Sequence, residues 1–116
     1  MLVVDDDENF LQVLADLVRE SGRPVFTARG SAEAFQILDS PALPGPCLIL
    51  LDWVMEPSSG SDFLEKLHAR GKRDTIVAIM SGDPRVHSIP DVREAVGFLR
   101  KPFKLTELHA LLDRYC

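Results

Sequence analysis

Short aliphatic runs alternate with segments of helical period from one end of the chain to the other. Residues 2–4 (LVV) are the first run. Phe10, Leu11, Leu14, Leu17 and Val18 then recur at the spacing of one helix face, which Gly22 and Pro24 bring to an end. Residues 25–28 make a second short strand. Ser31 is placed to cap a helix whose inward stripe is Ala34, Phe35, Ile37 and Leu38, and the loop DSPALPGP breaks that pattern. Residues 47–51 are aliphatic after Cys47, as expected of a central strand buried on both faces. Beyond the SSG turn a helix directs Phe63, Leu64 and Leu67 inward and stops at Gly71, and residues 75–80 form a fourth strand. Phe98 and Leu99 mark a fifth, shorter strand running into LRKPF, after which Leu105, Leu108, Leu111, Leu112 and Tyr115 give a closing helix its apolar face. Between strands four and five, Pro84 and Pro90 confine any helix to one or two turns near residues 92–96.

Alternation of this kind predicts an α/β fold, a parallel sheet of five strands with helices on both faces and a shortened fourth helix. At 116 residues the chain has room for one sizeable core, so residues 1–116 are expected to form a single domain without repeats or linkers. A composition of 46% hydrophobic and 27% charged residues is that of a soluble globular protein. No apolar run approaches the roughly 20 residues that span a bilayer, and nothing basic precedes the first strand, so a cytoplasmic protein without membrane contact is expected. A net charge of -5 with scattered Lys and Arg argues against direct nucleic-acid binding. Cys47 and Cys116 match no metal or redox spacing and are expected to be reduced and structural.

Ligand sites in such sheets form beyond the carboxyl ends of the strands. There the sequence places Asp5, Asp6 and Asp7 after strand one, Asp52 after strand three, Ser81 and Gly82 after strand four, and Lys101 and Pro102 after strand five. Asp52 beside the Asp5 and Asp6 pair requires compensation, through raised pKa values or a bound cation. Oxygen-only ligands in an open cleft suit Mg2+. A lysine and a hydroxyl at the same edge add what a transferred phosphoryl group needs around its oxygens. Asp7 and Glu8 read as first-turn acids favoured by the helix dipole. Trp53 reads equally as partial cover for the site or as a contact for a partner, and His68, His87 and His109 lack ligand spacing.

The motifs VVDDD, LLDWVM, SG and KPF, in this order and spacing, resemble the receiver domain of bacterial response regulators over essentially the whole chain. The resemblance implies a flavodoxin-like fold with strand order 2-1-3-4-5, and phosphorylation of one aspartate by a histidine kinase or histidine phosphotransfer protein. Residue by residue, it implies that Asp52 is the phosphoacceptor, that Asp6 and Asp52 ligate Mg2+ directly, that Asp5 helps through water, and that Val54 offers its backbone carbonyl. Ser81 and Lys101 would hold phosphoryl oxygens, a cis bond would precede Pro102, and Ser81 with Phe98 would form the switch to a surface made by residues 83–116. The signal would pass to a downstream effector or a linked output domain, and no separate substrate would be turned over. The family's proline four residues after the acceptor is displaced by one, leaving Glu56 in its place. Two other readings are a small phosphatase of haloacid dehalogenase type and a degenerate receiver acting as an unphosphorylated adaptor. The first puts its nucleophile in an opening D-x-D motif and its acid pair late, the reverse of the order here. The second would not be expected to spare Asp5, Asp6, Asp52, Ser81 and Lys101 together.

Overall fold

The structure, a computed structural model, describes residues 1–40, 47–54, 59–70, 75–82 and 95–116. Five strands, β1 (Leu2–Val4), β2 (Phe26–Ala28), β3 (Ile49–Asp52), β4 (Val77–Ser81) and β5 (Gly97–Arg100), form one parallel sheet in the order β2-β1-β3-β4-β5. Among the described residues there are four helices, α1 (Glu8–Glu20), α2 (Ser31–Leu38), α3 (Gly60–Ala69) and α4 (Leu105–Tyr115). The expected short helix near residues 92–96, Glu56, the displaced proline and His87 lie outside the described residues, apart from Ala95 and Val96.

Because strand side chains alternate between faces, each aliphatic run supplies two cores at once. Leu2, Val4, Ile49, Leu51, Val77 and Ile79 pack on the side of α2 and α3, with Phe35 stacked on Phe63 at 5.0 Å. Val3, Leu50, Ala78, Met80 and Leu99 face α1 and α4, where they meet Leu11, Leu14, Leu108 and Leu112. The double burial explains why the strands read as unbroken aliphatic runs.

Four local expectations are corrected. Ser31 is the first residue of α2 and is buried, Gly30 being the cap without a side-chain bond. Leu17 is 38% exposed beside Val13 at 59%, so the inward face of α1 is narrower than its apolar stripe. Asp52 is the last residue of β3 rather than the first beyond it. Finally, Cys47 and Cys116 are joined in a disulfide, with Cα atoms 5.4 Å apart across 69 residues of sequence. Helix α4 returns across the sheet to the start of β3, and a search for local Cys spacing cannot register that approach.

Candidate functional site

Three strand ends bring the acids and the lysine together. Asp5 follows β1 directly and is fully buried, its Oδ1 accepting the backbone N–H of Asp7 at 2.9 Å. Asp7 in turn caps α1, its carboxylate accepting from the Phe10 amide at 3.1 Å, so the first-turn acid is the N-cap and fixes where Asp5 and Asp6 sit. Asp52 is only 5% exposed at the end of β3. One carboxylate oxygen from each of Asp5, Asp6 and Asp52 lies within 4.8 Å of the others, an oxygen-only set that fits a hard divalent cation.

Lys101 follows β5, its backbone N–H bonded to the Ser81 carbonyl at 2.8 Å. Its Nζ donates to Asp5 Oδ2 at 2.7 Å and stands 3.6 Å from Asp52 Oδ2. One cation is thus shared between two buried carboxylates, with Asp5 the nearer partner. The Lys101–Pro102 bond is cis. Ser81, the last residue of β4, is buried at the same edge. Phe98 is 40% exposed, and strand pairing aligns it with Ile79. By alternation, Phe98 and Ser81 therefore share the α2–α3 face of the sheet.

The electrostatics at Asp52 are unbalanced. Burial pushes its carboxyl from the usual 3.8 up to about 6, and the charge of Asp5 adds to the rise. Lys101 and the Val54 amide, 3.4 Å from Asp52 Oδ1, pull the other way and do not restore it. A carboxylate in this position gains from any added positive charge.

Two supports escaped the sequence reading. Lys101 Nζ lies 4.6 Å over the ring of Phe10, which meets Phe103 edge-on at 6.1 Å, so an aromatic pair steers the lysine toward the acids. Gly60 opens α3 against the strand end, and a Cβ there would stand 2.7 Å from the Asp52 carbonyl oxygen and 2.9 Å from Trp53 Cα. The Gly60 N–H donates to the Trp53 carbonyl at 3.0 Å. Ser59 and Asp62 lock that helix start as a capping box, and Trp53 is buried over Gly60. In sequence, Gly60 reads only as a turn residue. Val54 is exposed.

Residues 1–113 match the family model described as the response regulator receiver domain. The photosynthetic apparatus regulatory protein RegA of Cereibacter sphaeroides is 33% identical over 116 residues, covering 98% of this chain and 61% of RegA. This chain spans 31% to 61% of the length of such relatives. A response regulator receiver protein from Pseudomonas putida superposes with TM-score 0.85 at 29% identity, covering 97% of this chain and 93% of that one. The response regulator TrrA from Thermotoga maritima, in complex with Mg2+ and BeF, has the same fold, with TM-score 0.85 at 24% identity over 99% of this chain and 96% of its own.

Proposed function

Because the chain belongs to the response regulator receiver domain family, we propose that Asp52 is its phosphoacceptor and that phosphorylation there makes it a switch in a two-component pathway. The observation that carries this reading is the buried Asp52 carboxylate, held among Asp5, Asp6 and Lys101 with its pKa raised to about 6. Burial strips water from the oxygen that must attack phosphorus, while it stays ionised at neutral pH.

In the transfer, an Asp52 oxygen forms a bond to phosphorus as the bond to the donor's imidazole nitrogen breaks. Lys101 is within reach of the acceptor and offsets charge gained on the phosphoryl oxygens, and the Ser81 hydroxyl donates to one of them. Mg2+, when bound, would neutralise the acids and the incoming phosphoryl group. Asp6 and Asp52 would hold it directly, with the Val54 carbonyl. Asp5, whose Oδ2 is engaged by Lys101, would act through water. Once phosphorylated, Asp52 draws the Ser81 hydroxyl inward, and Phe98 turns into the space released on their shared face. One charge-assisted hydrogen bond of about 1.5 to 3 kcal/mol biases that two-state element. The surface that responds is formed by residues 83–116.

Receiver domains are phosphoacceptors rather than enzymes with a separate substrate. The phosphatase alternative is not favoured by the family match, and Val54 stands where its motif needs an acid. The adaptor alternative is disfavoured by the complete residue set. The phosphoryl donor is a histidine kinase or phosphotransfer protein in the cytoplasm, docking beside Lys101 on an apolar groove of about 380 Å3 lined by Phe10, Val13, Leu17, Pro102, Phe103 and Leu105. A downstream effector or linked output domain receives the signal.

Incubation with a small phosphodonor and Mg2+, read by intact-mass and peptide mass spectrometry, tests the assignment. One acid-stable, base-labile adduct on Asp52 is expected, and none on Asp52→Asn. Equal labelling of that variant would move the nucleophile elsewhere.

A further inference from the structure

We propose that Cys47 and Cys116 form a reversible thiol–disulfide latch that sets how firmly α4, and through β5 the segment carrying Lys101, is held on the sheet. Both cysteines are exposed, so an incoming thiol can reach the bond. Their approach is made by the fold and not by a local loop: they stand 69 positions apart in sequence, yet their Cα atoms lie 5.4 Å apart. The helix does not need the bond in order to dock, since Leu108 and Leu112 are buried in the core against Leu50, Met80 and Leu99. Asp113 also pairs with Arg23. The reduced thiols therefore stay close, and the bond can re-form within the molecule.

The latch sits at the far ends of two elements that serve the site. Cys47 lies just before β3, which ends at Asp52, and Cys116 closes α4, which begins soon after Lys101. Helix α4 is pressed onto β5 so closely that a Cβ on Gly97 would meet Leu111 Cδ2 at 2.9 Å. Loosening the helix loosens the strand that leads into Lys101. In a reducing compartment a disulfide persists mainly as a transient or sensing bond, which favours a switch over a permanent staple.

In reduction, the thiolate of a dithiol reductant attacks one sulfur and breaks the Cys47–Cys116 bond. Its second thiolate then resolves the mixed disulfide. The reductant leaves as a disulfide, having supplied two electrons and two protons; a disulfide donor reverses the exchange.

Hydrogen exchange on the oxidised, dithiol-reduced and re-oxidised protein, with thiol alkylation, tests the latch. Reduction should expose two alkylatable thiols and speed exchange in residues 97–101 and 105–116 about tenfold more than in β1 and α1 to α3, which follow only the loss of overall stability, with recovery on re-oxidation. Cys47→Ser/Cys116→Ser should match the reduced pattern under both conditions. Two free thiols in the oxidised protein, or exchange that rises no more in residues 97–116 than in β1 and α1, would overturn the latch. The effect on signalling rests on the phosphoacceptor role of Asp52. Labelling by a small phosphodonor should slow severalfold on reduction, and equal rates would remove the coupling to Lys101. Absence of labelling in both forms, with the exchange change intact, would count against the phosphoacceptor role and leave the latch standing.

Discussion

The two ends of the sheet are closed by opposite means. At the carboxyl end, Asp5, Asp6 and Asp52 crowd together with Lys101 shared between two of them, and the Asp52 carboxyl is pushed up to about 6. At the amino end, Met1 and Leu48 are buried and the Cys47–Cys116 bond ties α4 to the start of β3. Strand β3 runs from one condition to the other within a few residues. Charge is concentrated where it can be used, at a cost in stability, and covalent and apolar closure offsets that cost at the other end.

Breaking the amino end should have the largest effect on stability. In the chain-entropy account, a cross-link closing a loop of 69 residues stabilises by about 4 kcal/mol. That is a large part of the 5 to 15 kcal/mol typical of a domain, though less than the whole. Urea unfolding of the protein with and without reductant should show the loss as a lower midpoint. An unchanged midpoint would mean that apolar packing alone closes this end.

The carboxyl end should behave in the opposite sense: removing its charge should stabilise. A carboxyl at about 6 in the folded protein and near 3.8 in the unfolded chain keeps its proton over a window in which the unfolded chain has lost it. Stability from this group is therefore highest below pH 4, falls as pH rises from about 4 to 6, and stays low above. Discounted for screening at the mouth of the site, the loss is about 2 kcal/mol. Asp52→Asn should be more stable than the wild type by that amount at pH 7, with the difference vanishing near pH 4. Denaturant titrations across this range decide it, and a wild type that gains on Asp52→Asn as pH rises through the window would reverse the sign.

How much of this contrast the sequence disclosed depends on the range of the interaction. The sheet was legible because double burial writes itself into consecutive residues, as in LVV and LILL, and because polar residues follow so abruptly. Asp5, Asp52, Ser81 and Lys101 all fall at strand ends, and the structure brings the acids and the lysine within a few ångströms. What was missed depends on contacts between elements remote in sequence. The disulfide needs α4 to come back over the sheet. The role of Gly60 needs α3 to touch the strand end, and the exposure of Leu17 needs the width of the contact between α1 and the sheet. Phe10 read as one more member of an apolar stripe, because nothing local tells a core ring from one that carries a lysine.

That ring offers the smallest and most local way to sharpen the comparison. Phe10 holds Lys101 from the apolar side while Asp5 holds it from the polar side, at 4.6 Å to the ring centroid and 2.7 Å to Oδ2. Phe10→Leu keeps most of the apolar volume and removes the electron-rich face, so the part of its effect that involves the ammonium should be about 0.5 to 1 kcal/mol. The total loss will also contain the edge-on contact with Phe103, which a single variant cannot separate. A double-mutant cycle with Lys101→Met does separate it, because the Phe103 contact and the unpaired Asp5 cancel between its arms. A coupling energy of about 0.5 to 1 kcal/mol from urea unfolding is expected at low salt, and it should persist at high salt better than an exposed ion pair would, since the lysine is partly buried. Strict additivity of the two substitutions would show instead that Asp5 and Asp52 position Lys101 without the ring, and that the carboxyl end owes its geometry to charge without help from the core.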